Sequence, residues 1–349
     1  MDSTVLIIGG AGYIGSHVNL LLRENGFKTV VYDNLSTGHR EMVHGPFIYG
    51  DILEPSRLED VFVSHKIDVV IHLAAKSLVP ESITKPLFYY ENNITGTVNI
   101  LKVMLEYGVK HILFSSTASV YGSPDTIPVG EDYPPNPDSV YGFTKLAIEQ
   151  MMKDAAHIHD FSYFVLRYFN AAGADLQGRT GELHIPETHL IPRVLDVAMG
   201  EEPEIVIYGT DYDTPDGTCI RDYIHIVDIA DAHLRAVKWL IQQKQGGKGY
   251  ILNVGSGKGF SVFDVIRTAE ETTGRQIPIS ESGRRKGDPP RLVAKSDLIK
   301  DVLGWKAQYS DLKTIMDTAW SWHIGGRMKL IKPAVRSTEF AGQNIEKRL

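Results

Sequence analysis

The residues best suited to proton transfer are a tyrosine and a lysine, Tyr141 and Lys145, in the segment VYGFTKLAIEQ. A spacing of four residues places both side chains on one face of a helix. A lysine ammonium near a phenol favours the phenolate, so we expect the pKa of Tyr141 to fall from about 10 toward that of a general base. Because such pairs are also frequent on ordinary helices, a simple surface pair is the alternative. Thr117, in SSTASVYG after a preceding strand, adds a hydroxyl placed to bond a substrate oxygen.

A glycine-rich turn between an apolar run and a helical pattern is the second chemical feature. In VLIIGGAGYIG, over residues 5–15, the glycines fall at Gly9, Gly12 and Gly15. The first permits a tight turn, the second lets the backbone approach a diphosphate, and the third lets helix and strand pack closely. Free N–H groups at the helix start then face the phosphates. The pattern predicts a dinucleotide site, with a merely compact turn as the alternative.

The next strand ends in an acid that favours one dinucleotide. The run KTVVYD ends in Asp33, eighteen residues beyond Gly15. A carboxylate at this place accepts both hydroxyls of an adenosine ribose and repels a 2′-phosphate. We therefore expect the cofactor to be NAD rather than NADP.

Alternating strands and helices must position these residues. Strand-like runs at 5–9, 28–33, 67–73, 110–116 and 161–167 alternate with helical patterns at 13–25, 55–65, 92–107 and 141–157. Such alternation predicts parallel strands with crossover helices, and strands that are apolar throughout indicate a sheet covered on both faces. We expect an α/β fold with a Rossmann-type doubly wound parallel sheet and with ligands at the carboxyl ends of its strands.

A smaller α+β lobe is expected after Asn170, where the chain becomes rich in Gly, Pro and Asp. The segment RDYIHIVDIADAHLRAV again follows a strand with a helix, so we expect a return to the first domain before the lobe resumes near Gly255. The predicted division is a dinucleotide-binding domain over 1–170 and about 222–254, and a substrate-binding lobe over 171–221 and 255–327. Residues 328–349 show no clear periodicity and are expected to form a tail.

Composition narrows the classes of partner. The chain has 349 residues, 43% of them hydrophobic, and a formal net charge of −7, which argues against nucleic-acid and membrane partners. No apolar run approaches the length of a membrane span, so we expect a cytoplasmic protein. The single cysteine, Cys219, excludes an intrachain disulfide. We also expect no metal site, because the chain has no His-Glu-x-x-His motif and because His157 and His159 face different sides of a helix end.

Taken together, the motifs resemble the UDP-glucose 4-epimerase family of the extended short-chain dehydrogenase superfamily. The resemblance runs from about Val5 to about His323 and rests on several long motifs in one order. They are GGAGYIGSH, YDNLSTGH, HLAAKSLVPES, KPLFYYENN, SSTASVYG, YGFTK, LRYFNAAGA, DGTCIRDYIHIVDIADAH and RRKGDPPRLVA.

The resemblance implies roles for the three candidate catalytic residues. In that family the tyrosine, here Tyr141, takes the proton of the sugar 4-hydroxyl while hydride passes from C4 to the nicotinamide, which gives a 4-keto sugar. The lysine, Lys145, holds the nicotinamide ribose, and Thr117 bonds the 4-oxygen. Hydride then returns to the other face of the sugar, so the net redox change is zero and NAD is expected to stay tightly bound.

The resemblance also assigns a cofactor pocket. Its residues are Gly9, Gly12, Tyr13, Ile14, Gly15, Asp33, Asn34, Asp51, Ile52, Leu73, Ala74, Ala75, Asn92, Ser115, Tyr141, Lys145 and Tyr168. Two assignments keep an alternative. Asp51 could cap a helix that begins at Pro55, and Asn92 could cap a helix over 94–107.

A substrate pocket for the UDP moiety follows from the same resemblance. Its residues are Thr117, Asn170, His189, Leu190, Tyr208, Arg221, Arg285 and Asp288. Arginines suit a diphosphate because the guanidinium fork donates two charge-assisted hydrogen bonds. The chain departs from the family at His189, where many members have asparagine, and at Ser77, where many have a lysine; whether the neighbouring Lys76 substitutes stays open. Leu292 stands where a bulky tyrosine is frequent.

Several alternatives therefore stay open. The shorter Leu292 could admit an N-acetyl group, so a UDP-N-acetylglucosamine or UDP-pentose 4-epimerase is an alternative to a UDP-glucose 4-epimerase. A sugar-nucleotide dehydratase is disfavoured, because Ala118 and Ser119 stand where those enzymes carry an acid and a base. An inactive NAD-binding protein is disfavoured because Tyr141 and Lys145 are both present. A homodimer built on helices 92–107 and 141–157 is implied by resemblance alone.

Overall fold

A parallel sheet with helices on both faces forms the larger part of the molecule. The computed structural model describes residues 3–243, 246–285 and 287–330. The strands are β1 Thr4–Ile8, β2 Lys28–Asp33, β3 Phe47–Tyr49, β4 Val69–His72, β5 His111–Thr117, β6 Ser162–Tyr168, β7 Asn170–Ala172, β8 Ile205–Tyr208, β9 Ile220–Arg221, β10 Tyr223–His225, β11 Gly249–Val254, β12 Phe260–Ser261, β13 Ile279–Ser282 and β14 Arg291–Leu292. The helices are α1 Tyr13–Glu24, α2 Pro55–Ser64, α3 Val79–Thr84, α4 Pro86–Tyr89, α5 Gly96–Glu106, α6 Val140–His159, α7 Leu190–Met199, α8 Ile226–Gln242, α9 Val262–Thr273, α10 Asp297–Leu303 and α11 Leu312–Trp322.

The main sheet is doubly wound, as the sequence predicts. Its strand order is β11-β6-β5-β4-β1-β2-β3, and every neighbouring pair is parallel. The chain builds outward from β1 in one direction through β2 and β3, and in the other through β4, β5, β6 and β11. The order therefore reverses between β1 and β4, and the crevice beyond the carboxyl ends of these two strands is where such sheets bind ligands.

Apolar residues fill both faces of the sheet. Val5 and Ile7 of β1 pack into one buried cluster with α1 and α8, while Leu6 and Ile8 pack into another with α2, α5 and α6. Alternate residues of a strand point to opposite faces, so a run that is apolar throughout is what two covered faces require.

The helix predicted over 92–107 begins earlier than the sequence indicates. Helix α4 continues through a π-helical segment, Tyr90–Thr95, directly into α5. Asn92 and Asn93 are buried inside this continuous helix, so the alternative in which Asn92 caps a helix is wrong. The alternative for Asp51 is also wrong, because α2 has Glu54 at its N-cap and the Asp51 carboxylate bonds elsewhere.

A second, smaller packing unit lies beside the main sheet, whereas α10 packs against α8 and β11 of the larger one. Helices α7, α9 and α11 enclose a separate apolar cluster with β8 and β10. Short sheets accompany it, one pairing β8 with β13 and one with the order β12-β9-β14. Most of the predicted tail, over residues 331–349, lies outside the described residues. Within the described ranges, no helix is long and apolar enough to cross a membrane.

Candidate functional site

A cavity of about 870 Å³ opens at the carboxyl ends of the central strands and extends to the smaller lobe. Its volume lies within the usual range for a cofactor or small-molecule site. The sequence-predicted site residues lie in its wall, with the exception of Asp51 and Tyr208. The fold thus brings the glycine turn, the tyrosine–lysine pair and the arginines around one space.

The three glycines of the turn have different structural requirements. Gly9 has a φ of +82°, and a Cβ there would stand 2.4 Å from the Ala74 nitrogen. At Gly15 a Cβ would stand 2.3 Å from the Gly9 carbonyl oxygen, so close packing requires glycine at both positions. A Cβ on Gly12 would meet only the Gly9 oxygen, at 3.5 Å, because this residue faces the cavity. Packing within the protein therefore does not require glycine at position 12. A ligand that fills the cavity and lies against this backbone would require it.

Asp33 is fixed at the end of β2 by backbone hydrogen bonds. Its two carboxylate oxygens accept from the backbone nitrogens of Ala11 at 2.9 Å and of Leu35 at 2.8 Å. Burial raises the pKa of this carboxyl, and the two backbone donors oppose the rise. Each oxygen retains a lone pair that can accept from a ligand. Asp51 contributes indirectly, since its Oδ2 accepts from Asn34 Nδ2 at 2.7 Å and so orients a residue of the wall.

Tyr141 and Lys145 lie one turn apart on α6, but the expected lowering of the tyrosine pKa is wrong for the protein alone. Burial raises the pKa of Tyr141 to about 12, and a hydrogen bond with Thr117 only partly offsets it. The Lys145 ammonium stands 5.8 Å from the centre of the Tyr141 ring and donates instead to the Ser115 carbonyl at 2.7 Å. Burial lowers the pKa of Lys145 to about 7. Burial is thus the largest cause of both pKa shifts.

A buried ion pair beneath α6 was not predicted from the sequence. The Arg167 guanidinium donates to both carboxylate oxygens of Glu149, at 2.9 and 2.6 Å, and both side chains are almost fully buried. Ser116 donates to the same carboxylate at 2.6 Å, and Arg167 also donates to the Tyr121 hydroxyl at 2.9 Å. Two sequence signals could have revealed it: Glu149 lies eight residues after Tyr141 on the same helix face, and Arg167 interrupts an apolar strand.

The two predicted phosphate-binding arginines stand at the other end of the cavity. Arg221 donates to the Pro289 carbonyl at 2.7 Å, and its Nη2 lies 3.5 Å from Asp288 Oδ1. The Arg285 guanidinium stacks over the Tyr208 ring, 3.7 Å from its centre. Tyr208 therefore supports the site through Arg285 and does not itself line the wall. Lys76, which precedes Ser77 in the sequence, also lines the cavity, and its ammonium lies 3.3 Å from the Ser36 hydroxyl.

The loop before α7 carries four potential metal ligands that the sequence reasoning also missed. Glu182, His184, Glu187 and His189 each offer one ligand atom, and these atoms lie within 4.8 Å of one another. The signal was the run GELHIPETH, in which two acids and two histidines recur within eight residues. Burial opposes the change, but the neighbouring carboxylates of Glu182 and Glu187 raise the pKa of His184 to about 10.

Comparison with known proteins decides the family. Residues 5–255 match the profile of the NAD dependent epimerase/dehydratase family. The chain belongs to the NAD-dependent epimerase/dehydratase family. A curated member of this family, the UDP-glucose 4-epimerase of Halalkalibacterium halodurans, is 49% identical over 320 residues, which are 91% of this chain and 95% of that protein.

Solved structures of UDP-glucose 4-epimerases have an architecture similar to that of this chain. UDP-glucose 4-epimerase from Brucella ovis, crystallised in complex with NAD, has a TM-score of 0.88 at 45% identity and covers 91% of this chain and 98% of its own. The enzyme from Bifidobacterium longum, in complex with NAD⁺ and UDP, has a TM-score of 0.87 at 36% identity over 93% of this chain and 99% of its own. Both likenesses extend through the main sheet and the smaller lobe.

Proposed function

We propose that the protein catalyses the reversible 4-epimerisation of UDP-glucose and UDP-galactose with tightly bound NAD. The observation that carries this proposal is the placement of Tyr141, Lys145 and Thr117 in the wall of one cavity, between a glycine turn and two arginines. The relative from Halalkalibacterium halodurans, which is 49% identical over 95% of its own length, is named UDP-glucose 4-epimerase. The order of these groups matches what the reaction needs: a nucleotide cradle, a proton-transfer pair and a diphosphate-binding end.

NAD fits the half of the cavity beside β1 and β2. Gly12 presents backbone without a side chain to the cavity. Asp33 keeps lone pairs that can accept hydrogen bonds from the ribose hydroxyls of a dinucleotide. The Brucella ovis structure with NAD supports the same cofactor. The residues that would hold it are Gly9, Gly12, Tyr13, Ile14, Gly15, Asp33, Asn34, Ile52, Leu73, Ala74, Ala75, Asn92, Ser115, Tyr141, Lys145 and Tyr168, with Asp51 acting through Asn34.

Tyr141 would take the proton from the sugar C4 hydroxyl and return it at the end of the reaction. Thr117 would hold the same oxygen, since its hydroxyl lies at the cavity wall beside the phenol. NAD, when bound, supplies a reversible acceptor for the C4 hydride, so the overall reaction is an isomerisation. Burial favours the protonated form of Tyr141, so nearby positive charge must stabilise the phenolate that acts as the base. The Lys145 ammonium, which donates to the Ser115 carbonyl, would supply part of this charge. The other N–H donors of Lys145 would hold the cofactor ribose.

The UDP-sugar would lie in the half of the cavity toward the smaller lobe. Arg221 and Arg285 would donate to the diphosphate, since a guanidinium presents paired donors to phosphate oxygens. The remaining substrate contacts would come from Asn170, His189, Leu190 and Asp288, with Tyr208 supporting Arg285. The division into a dinucleotide-binding domain and a substrate-binding lobe is supported by their separate apolar clusters. Within the segment 255–327 that the sequence assigns to the lobe, Ile299 and Trp305 pack in the cluster of the dinucleotide-binding domain, so α10 and Trp305 belong with that domain.

A homodimer is the assembly that we propose. Large apolar side chains stand exposed on helices of the dinucleotide-binding domain: Ile83 on α3, Leu87 and Phe88 on α4, and Phe143 on α6. Exposed apolar patches of this kind mark association sites. Leu87→Glu should shift the mass measured by light scattering from that of a dimer to that of a monomer; an unchanged mass, or a monomeric parent protein, would contradict this assembly. The free thiol Cys219 supports a reducing, cytoplasmic location.

The decisive assay mixes the purified protein with UDP-galactose and no added NAD, and follows the formation of UDP-glucose. Conversion is expected, and Tyr141→Phe, which keeps the ring and removes the phenol proton, should abolish it while the protein still retains NAD. Activity that appears only after NAD is added would contradict tight retention. No conversion even with added NAD would contradict the proposed reaction.

A further inference from the structure

The loop between β7 and α7 folds four side chains into one cluster. The Nδ1 atom of His184 lies 3.3 Å from Glu182 Oε1 and 3.6 Å from Glu187 Oε2, and His189 Nδ1 lies 3.9 Å from Glu187 Oε1. His189 Nδ1 also contacts Glu182 Oε1 directly. The four residues thus direct two imidazole nitrogens and two carboxylates toward a common centre.

Two atoms at this centre lack a hydrogen-bond partner. The carboxylate of Glu187, only 6% exposed, uses Oε1 to accept from the backbone nitrogens of Thr188 and His189, at 2.8 and 3.0 Å. Its Oε2 atom is buried without a hydrogen bond, as is His184 Nδ1. Leaving a buried polar atom unsatisfied is unfavourable, because the atom loses its hydrogen bonds to water and gains none in the protein. Such atoms are rare in folded proteins. These two lie within ion-pair distance of each other, at 3.6 Å, but neither makes a hydrogen bond, and an ion bound between them would satisfy both.

The spacing of the cluster fits a small tetrahedral ion. Zinc binds imidazole nitrogen and carboxylate oxygen at about 2.0–2.2 Å, so the ligand atoms of a tetrahedral site lie about 3.4 Å apart. The separations of His184 Nδ1 from the two carboxylates, 3.3 and 3.6 Å, are close to this edge, whereas His189 Nδ1 contacts Glu182 directly and would move apart from it to admit the ion. Calcium and magnesium prefer all-oxygen ligands, whereas imidazole favours first-row transition metals.

We propose that Glu182, His184, Glu187 and His189 bind a divalent transition-metal ion, with zinc as the best fit. Two carboxylates balance its charge, and four protein ligands make the site a closed, structural one rather than a catalytic one. The ion would fix the loop at the cavity wall: His184 packs edge-on against Tyr13, the first residue of α1, with ring centres 6.3 Å apart, and His189 is the N-cap residue of α7. The proposal does not depend on the proposed reaction.

The test measures bound metal and its effect on stability in untagged protein, so that no histidine tag contributes ligands. Metal content is measured by inductively coupled plasma mass spectrometry, and thermal unfolding is recorded with and without a chelator and after zinc is restored. Glu187→Gln keeps the side-chain length and an oxygen that accepts from the two backbone nitrogens, but it removes the anionic ligand. His184→Ala removes an imidazole. His157→Ala, on the exposed side of α6, is the control.

We expect zinc at one ion per chain in the parent protein and in His157→Ala, and its loss in Glu187→Gln and His184→Ala. The chelator should lower the Tm of the parent protein, added zinc should restore it, and neither treatment should affect Glu187→Gln. Parent protein that contains no metal and whose Tm does not respond to added zinc would overturn the proposal. The cluster would then be an ion-paired group with protonated imidazoles. Because no substrate is present, failure of the proposed epimerase activity would leave this readout unaffected.

Discussion

Substitution of Gly12 by alanine should separate cofactor retention from folding. The backbone at Gly12 has φ −78° and ψ 177°, which alanine adopts without strain. Its new Cβ would make one ordinary contact, 3.5 Å from the Gly9 oxygen, so we expect the free energy of unfolding of the cofactor-free protein to change by less than about 0.5 kcal/mol. The same Cβ points into the cavity where a diphosphate must approach the backbone, so retained NAD should be lost.

Gly15→Ala is the matched control, because its Cβ would enter the protein instead of the cavity. It would stand 2.3 Å from the Gly9 oxygen and 2.6 Å from Gly10 Cα, and both are backbone atoms that cannot turn aside. Overpacking of this kind costs about 1–3 kcal/mol. Gly15→Ala should therefore lower the stability of the cofactor-free protein, which Gly12→Ala should not.

The assay has two parts. Nucleotide released by denaturing the purified protein is quantified by chromatography, and urea unfolding is measured on protein stripped of nucleotide, because bound NAD would itself stabilise the fold. Gly12→Ala that still retains NAD like the parent would refute the reasoning. Equal losses of stability in the two stripped variants would refute the distinct roles assigned to the two glycines.

Three further predictions concern the core, acid stability and the substrate. Glu149→Gln should lower the free energy of unfolding by about 3–5 kcal/mol, because it leaves the buried Arg167 guanidinium without its carboxylate; urea unfolding measures this, and a loss under 1 kcal/mol would contradict it. Acid should destabilise the fold, since burial lowers the pKa of four histidines from 6.5 to between about 3 and about 4: His17, His72, His225 and His233. The unfolded chain binds protons that these four sites do not bind in the folded state, so their cost is absent above pH 6.5 and grows as the pH drops toward 4, to roughly 1 kcal/mol per histidine at pH 5.5. His184, whose pKa is raised, has the opposite effect and offsets part of this loss. Equal stability by urea unfolding at pH 8 and 5.5 would contradict this. Leu292 lines the cavity, so Leu292→Tyr should lower turnover of UDP-N-acetylglucosamine relative to UDP-galactose, and equal rates before and after the change would contradict a role in admitting the N-acetyl group.

Features encoded in short, local patterns could be predicted from the sequence. The glycine turn, the five central strands and the Tyr141–Lys145 spacing each depend on neighbouring residues, and the structure places them as expected. The same holds for the doubly wound order, since alternating strands and helices restrict the sheet to few topologies.

Features that depend on tertiary burial could not be predicted. The pKa of Tyr141 rises because its surroundings exclude water, which the four-residue spacing does not reveal. The helix that continues through 90–95 has no distinctive sequence signal, so Asn92 looked like a cap. The pairing of Glu149 with Arg167 joins a helix to a strand, and the cluster around Glu187 forms in an irregular loop; neither has a periodic pattern.

The central claim, that the C4 hydrogen leaves the sugar and returns within one protein, is tested most directly with an isotope. UDP-galactose carrying deuterium at C4 is converted by the purified protein in ordinary water with no added NAD, and the product is analysed by NMR and mass spectrometry. The account predicts UDP-glucose that retains deuterium at C4. Product with hydrogen from water at C4 would contradict it, because the hydrogen would then have exchanged with solvent instead of being held and returned.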